Sequence, residues 1–152
     1  MNIAIICGDW LENEVTYEII HRAFPQIAFK FFETFEQLLL GFDAVAKDIN
    51  LIISETRVAL VTPDGDFLER AAELERKFPD EVKNWECTNL PRELLKHLQS
   101  KGFQTPILFY TNDDNDWIDP EVRKDGRVTY LLKGTGIEPL VETVRELLRI
   151  PV

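Results

Sequence analysis

A chain of 152 residues with 45% hydrophobic and 29% charged content is sized and composed for one domain with a substantial core. Its formal net charge of −10 excludes a general nucleic-acid binder, which needs clustered Lys and Arg, and argues against anionic membrane surfaces. No apolar stretch approaches the ~20 residues of a membrane span, and the start at Met1 lacks the basic region and small-residue cleavage site of a signal peptide.

Taken in chain order, Asn2–Cys7 is a short apolar run stopped by Gly8 and Asp9, which reads as a buried first strand. The segment Leu11–Phe24 places Leu11, Val15, Ile19, Ile20 and Phe24 on one helical face, and Pro25 ends it. Ile27–Phe32 is a second strand. Phe35 to about Lys47 carries Phe35, Leu38, Leu39, Phe42 and Val45 at helical spacing, with Thr34 as its N-cap. Ile49–Ser54 is a third strand. The βαβαβ order predicts a parallel sheet covered by helices on both faces.

About 50 residues then separate Glu55 from the next strand at Ile107, well beyond a usual loop plus one helix. Pro91–Lys101 is one helix, with Leu94, Leu95 and Leu98 inward and Gly102 closing it. That leaves residues 56–90 as an apparent insertion within a single domain spanning 1–152. It holds a helix over Asp66–Phe78 with Phe67, Leu68, Ala71, Leu74 and Phe78 as its apolar stripe, stopped by Pro79. Val58–Val61 is a further apolar run, and Trp85 falls in an irregular stretch.

Thr111 follows strand Ile107–Tyr110, and beyond it comes an acidic loop, Asn112 to Asp116, then a short helix around Trp117–Lys124 containing Pro120. Strand Val128–Leu132 ends at Lys133. The turn Gly134-Thr135-Gly136 leads into a last helix with Ile137, Leu140, Val141, Val144, Leu147 and Leu148 as its apolar positions. The expected fold is α/β: a doubly wound, flavodoxin-like parallel sheet of five strands with five helices, plus the inserted helical segment.

Three polar residues each close a separate apolar strand: Glu55 after Leu51–Ser54, Thr111 after Ile107–Tyr110, and Lys133 after Val128–Leu132. In an open parallel sheet the carboxyl ends of the strands are where ligands bind, so an acid, a hydroxyl and an amine are expected to share one crevice. Other candidates have plainer readings. Cys7 and Cys87 show no metal spacing or disulfide framework, which suits a reducing cytoplasm, and Cys7 reads as a small buried residue. His21 and His97 read as ordinary helix residues. Asp113, Asp114 and Asp116 lack the Gly and distal Glu of a calcium loop and read as solvated rather than as a cation site. Gly134-Thr135-Gly136 is too short and too late for a dinucleotide fingerprint.

The trio resembles the active site of a bacterial response-regulator receiver (CheY-like) domain. Asn50-Leu51-Ile52-Ile53-Ser54-Glu55 is similar to the receiver segment that ends in the phospho-accepting aspartate, with glutamate in its place. Thr111 matches the switch hydroxyl, Tyr130 the aromatic that changes rotamer, and Lys133 the invariant lysine, followed by Gly134 where receivers usually have proline. The adjacent acids that close the first strand in receivers fall on Cys7 and Gly8, with Asp9 next to them.

The resemblance implies a signalling module, and the departures imply a degenerate one, a pseudo-receiver. Phosphoryl transfer needs a metal to neutralise charge, and Mg²⁺ takes hard oxygen ligands. Without the acid pair, no metal and no cofactor are expected, and Glu55 is one methylene too long for the acceptor geometry. Glu55 has two roles open to it: an ion pair with Lys133 that holds one state, or a partial imitation of the phosphorylated form that draws Thr111 inward. The leading expectation is a non-enzymatic, cytoplasmic regulatory module acting through a protein partner. The alternatives are a working phospho-receiver, and a small-molecule binder or enzyme with Asp9, Glu55 and Lys133 lining a pocket. Phe67, Leu68, Trp85 and Trp117 are candidate partner anchors. With the last helix closing near Val152, output is expected through that partner or through self-association, and the resemblance implies a homodimer as one form of the latter.

Overall fold

A computed structural model describes residues 1–87, 90–113 and 118–152. Strands β1 (Asn2–Ile6), β2 (Ala28–Phe32), β3 (Leu51–Ser54), β4 (Ile107–Thr111) and β5 (Val128–Leu132) form one sheet in the order β2-β1-β3-β4-β5. Every neighbouring pair is parallel, with Ile5 beside Ile53, Ile53 beside Leu108 and Thr111 beside Leu132. The three central strands are continuous apolar runs because both of their faces are covered. The doubly wound five-stranded sheet is therefore as the alternation of elements predicts.

Helices α1 (Trp10–Ala23) and α7 (Ile137–Leu147) cover one face, where Ile3, Ile5, Ile53 and Leu108 meet Ile20, Phe24, Leu140 and Val144. Helices α2 (Phe35–Val45) and α5 (Leu90–Lys101) cover the other, where Ile6, Ile52 and Phe109 meet Phe35, Phe42, Leu94 and Leu98. Thr34 caps α2 as expected, its Oγ1 accepting from Gln37 N at 3.1 Å. Gly102 follows α5 at φ 74°, a left-handed conformation that favours glycine. A four-residue helix α6 (Pro120–Arg123) precedes β5, with Pro120 at its first turn, where the missing N–H costs nothing.

Three expectations are corrected. Residues 79–87 are helical: Pro79 ends α3 (Phe67–Lys77) and opens α4 (Pro79–Cys87), so the irregular stretch assigned to Trp85 is a second helix. The stripe read for α3 is only partly used. Leu74 is buried against Val61 and Val82, with Ala71 and Phe78 beside them, while Phe67 and Leu68 are exposed. The face read for α1 is also turned: Asn13, Thr16 and Ile20 are buried, and Leu11 and Val15 face solvent. Val58 and Val61 are buried in a loop that runs parallel to Thr34 at Ala59 and meets the start of α2, where Phe35 N donates to Ala59 O and Glu36 N to Leu60 O, each at 2.9 Å. Trp117 and the side chain of Trp85 lie outside the described residues. Among the described residues no helix is long and apolar enough to cross a membrane.

Candidate functional site

Because all five strands are parallel, Cys7, Glu55, Thr111 and Lys133 come to the same edge of the sheet. Glu55 N donates to Ile6 O at 2.8 Å and Lys133 N to Thr111 O at 2.8 Å, so sheet hydrogen bonding continues just past the strands and sets both residues by backbone. Their side chains then meet: Lys133 Nζ donates to Glu55 Oε2 at 2.9 Å. The other Glu55 oxygen, Oε1, accepts from Thr56 N at 3.1 Å.

A residue not singled out from sequence completes the arrangement. Glu12 Oε2 lies 3.3 Å from Lys133 Nζ, so one ammonium faces two carboxylates. The pair is well covered, with Lys133 and Glu55 side chains 12% and 17% exposed. The ammonium also lies 5.5 Å from the centre of the Tyr110 ring. Burial works against the Lys133 charge, but the Glu55 hydrogen bond and the nearby negative groups outweigh it, and its pKa is raised above the ordinary value. The signal for Glu12 was present in the sequence as Asp9-x-x-Glu12, an acid at the cap and another in the first turn, which places Glu12 over the end of β1.

Asp9 does not enter the crevice, which corrects the expectation that it lines a pocket there. Its Oδ1 accepts from Leu11 N at 2.9 Å and Glu12 N at 3.1 Å, so its carboxylate caps α1. Cys7 is buried, with Sγ 3.8 Å from Glu12 Oε2, and burial above all raises its thiol pKa. Asn13 Nδ2 donates to Cys7 O at 3.0 Å, while its buried Oδ1 has no hydrogen-bond partner among the described residues. Cys7, Asn13, Ser54, Glu55, Tyr110 and Lys133 surround a void of about 10 Å³. That is too small to hold more than one water at most, so the crevice is filled by its own side chains.

Thr111 and Tyr130 belong to a second cluster centred on Asp113, which is therefore not a freely solvated loop residue. Thr111 Oγ1 accepts from Asp113 N at 3.1 Å, and the Tyr130 hydroxyl donates to Asp113 O. Thr56 Oγ1 donates to Asp113 Oδ2 at 2.6 Å, and Arg57 Nε approaches the same oxygen at 4.0 Å. Thr56 joins the two clusters, since its N–H holds Glu55 and its hydroxyl holds Asp113. Asp114 and Asp116, the other members of the acidic loop, lie outside the described residues. Among the described residues, Cys7, Glu12 and Glu55 bring one thiol and two carboxylates within 4.8 Å of one another, and the Lys133 ammonium is hydrogen-bonded into that set.

The sheet order and the strand-end crevice define a doubly wound α/β protein of the flavodoxin-like class. Within that class, the chain has the fold of response-regulator receiver domains, and many solved structures of such domains resemble it. A receiver-domain protein from Clostridium thermocellum superposes with a TM-score of 0.66 at 10% identity, over 97% of this chain and 94% of that one. One from Bacillus halodurans gives 0.64 at 9%, over 97% and 96%. The response regulator TrrA of Thermotoga maritima, in complex with Mg(2+)-BeF, gives 0.56 at 16%, over 96% and 97%. No protein-family model and no curated protein sequence matches the chain. At these identities the likeness is one of fold.

Proposed function

We propose that this chain is a receiver-like regulatory module that signals through protein–protein contacts without accepting phosphate. The observation that carries the reading is the Lys133 ammonium held at 2.9 Å by Glu55 and 3.3 Å by Glu12. Phosphoryl transfer to a carboxylate requires that oxygen to be free for in-line attack, with cations stabilising the charge that moves onto the phosphoryl oxygens. Here the Glu55 oxygens are taken by Lys133 Nζ and Thr56 N, and the lysine is itself engaged by two acids.

The donor set also does not fit Mg²⁺. The ion takes hard oxygens in near-ideal octahedral geometry, whereas this cluster includes a thiol, and an ammonium already engages both of its carboxylates. The ammonium acts as the site's built-in cation. An ion pair holding one state accounts for the geometry better than phosphate mimicry does, because Thr111 Oγ1 is turned to Asp113 N and makes no hydrogen bond to Glu55 among the described residues. The filled crevice speaks against a small-molecule pocket there.

Intact mass after incubation with Mg²⁺ and acetyl phosphate tests the reading. The expected mass is unchanged. A gain of one phosphoryl group, lost in Glu55→Gln, would overturn it in favour of a working phospho-receiver.

A further inference from the structure

Strand β2 forms one edge of the sheet, and no strand lies on its outer side. The register with β1 fixes which backbone groups face outward. Ala28 N donates to Met1 O at 3.0 Å and Phe32 O accepts from Cys7 N at 3.1 Å, with Asn2 beside Ala28 and Ile6 beside Phe32. In that pattern Ala28, Lys30 and Phe32 bond to β1, so the N–H and C=O groups of Phe29 and Phe31 point away from the sheet. Among the described residues those groups have no hydrogen-bond partner. The open stretch is bounded on both sides, since Ile27 N donates to Phe24 O at 3.1 Å and Glu33 N to Gln37 Oε1 at 2.8 Å. Side chains differ across the edge. On one face Phe29 and Phe31 lie against Tyr17, with ring centres 5.1 and 6.3 Å from its own, and Phe31 is 42% exposed. On the other face Lys30 is exposed and makes no ion pair among the described residues.

We propose that the β2 edge docks an extended segment of a partner protein, added antiparallel, with an acidic residue opposite Lys30 and apolar residues opposite Phe29 and Phe31. An edge with unpaired N–H and C=O groups is a template for strand addition, in which backbone bonds supply affinity and alternate side chains supply selectivity. In this register the added strand exchanges both N–H···O bonds with Phe29 and with Phe31. The residue opposite Lys30 then takes the non-hydrogen-bonded position, where facing side chains come closest. Charge selects the occupant. A second copy pairing through the same register would set its own Lys30 directly against this one, between chains that each carry −10. An acid at that place turns the same lysine into half of an ion pair, and apolar neighbours extend the Tyr17, Phe29 and Phe31 surface. The inference deepens the proposed function by naming the docking surface, and it rests on the reading that this module acts through a protein partner. It does not depend on whether the crevice accepts phosphate.

The test titrates the full isotope-labelled chain with four blocked peptides of about nine residues, long enough for one strand with Ser and Thr flanks. The first is centred on Val-Glu-Val and the second on Val-Lys-Val. The third and fourth keep Val-Glu-Val but are N-methylated, the third at both Val residues, whose N–H groups would face β2, and the fourth at Glu, whose N–H would face away. The expected result is saturable binding of the first, with amide exchange at Phe29 and Phe31 slowed about tenfold or more at saturation. The fourth should bind like the first. The second should bind about tenfold more weakly at low salt, with the gap closing as salt rises. The third should not saturate.

Lys30→Glu, a change at an exposed site, should keep the circular dichroism of the parent and reverse the preference, so that Val-Lys-Val binds more tightly than Val-Glu-Val. No saturable binding of the first peptide, undiminished binding of the third, or a preference that Lys30→Glu leaves unchanged would each overturn the proposal. So would a dimer in sedimentation that slows exchange at Phe29 and Phe31 without peptide, since the occupant would then be a second copy. Intact mass after acetyl phosphate, read on the same preparation, separates this inference from the reading beneath it. Phosphorylation with intact peptide binding would sink the crevice reading alone, and absent binding with unchanged mass would sink the edge alone.

Discussion

The two helical layers cover the same sheet with different kinds of residue. On the α2/α5 side the helices bury Phe35, Leu38, Phe42, Leu94, Leu95 and Leu98, a continuous apolar seam. On the other side two of the three buried residues of α1 are polar, Asn13 and Thr16, while Leu11 and Val15 face water. Position explains the contrast. The first turns of α1 lie over the carboxyl end of β1, where Cys7 O needs the Asn13 amide and Lys133 needs Glu12. A helix that supplies polar groups to the crevice turns part of its apolar stripe outward. Apolar periodicity therefore identified α1 as a helix without saying which side would be inward.

The largest expected effect sets the two layers directly against each other. Phe42 is almost fully buried and packs edge-on against Phe32 at 5.7 Å between ring centres, so Phe42→Ala should cost about 3–5 kcal/mol in urea unfolding. Val15→Ser on α1 should stay within about 0.5 kcal/mol, as an exposed substitution outside the core. Equal costs would mean that Val15 belongs to the core and that the layers do not differ.

A smaller loss is expected in the crevice. Lys133→Met leaves Glu12 and Glu55 facing each other without a cation and should cost about 1–3 kcal/mol, less than a fully buried pair because Glu12 remains partly exposed. The pH dependence follows from the raised folded-state pKa. The Lys133 contribution is fully present below the unfolded pKa and is lost as pH rises through the higher folded value. Cys7 acts in the same direction, since its buried thiol holds a proton that the unfolded chain releases earlier. Stability should fall on the alkaline side, from about pH 9 upward, and Lys133→Met should flatten the upper part of that fall. An unchanged alkaline limb in the variant would show that Lys133 is not the coupled group.

Much of this architecture was legible from patterns that depend on one element at a time. The five strands, the Thr34 cap and the inward residues of α2 and α5 follow from periodicity and capping. So does the arrival of Glu55, Thr111 and Lys133 at one edge, once the sheet is parallel. What was not legible depends on two elements at once. Pro79 reads as a stop for α3 and is equally the first residue of α4, and only the packing of Val82 against Leu74 and Val61 selects the second role. Asp113 looked like one of several solvated acids, yet contacts from Thr56, Thr111 and Tyr130 hold it, on segments far apart in sequence.

The smallest expected effects separate two acids three residues apart. Asp9 and Glu12 lie in the same short segment, but one caps α1 and the other reaches Lys133. Asp9→Ala should cost about 1 kcal/mol through loss of the cap, and Asp9→Asn should recover most of it, because an amide oxygen accepts the same N–H groups. Glu12→Gln should cost less, roughly 0.2–1 kcal/mol, since its partner keeps Glu55. Its signature is chemical. The Glu12 charge helps hold the Cys7 thiol protonated, so its removal should speed alkylation of Cys7 by iodoacetamide at mildly alkaline pH, measured in a Cys87→Ser background. Asp9→Ala should alter stability more and alkylation in the native state less. If the two variants ranked alike on both measurements, α1 would owe its inward polarity to helix stability alone; opposite rankings would tie that polarity, and with it the outward turn of Leu11 and Val15, to the crevice.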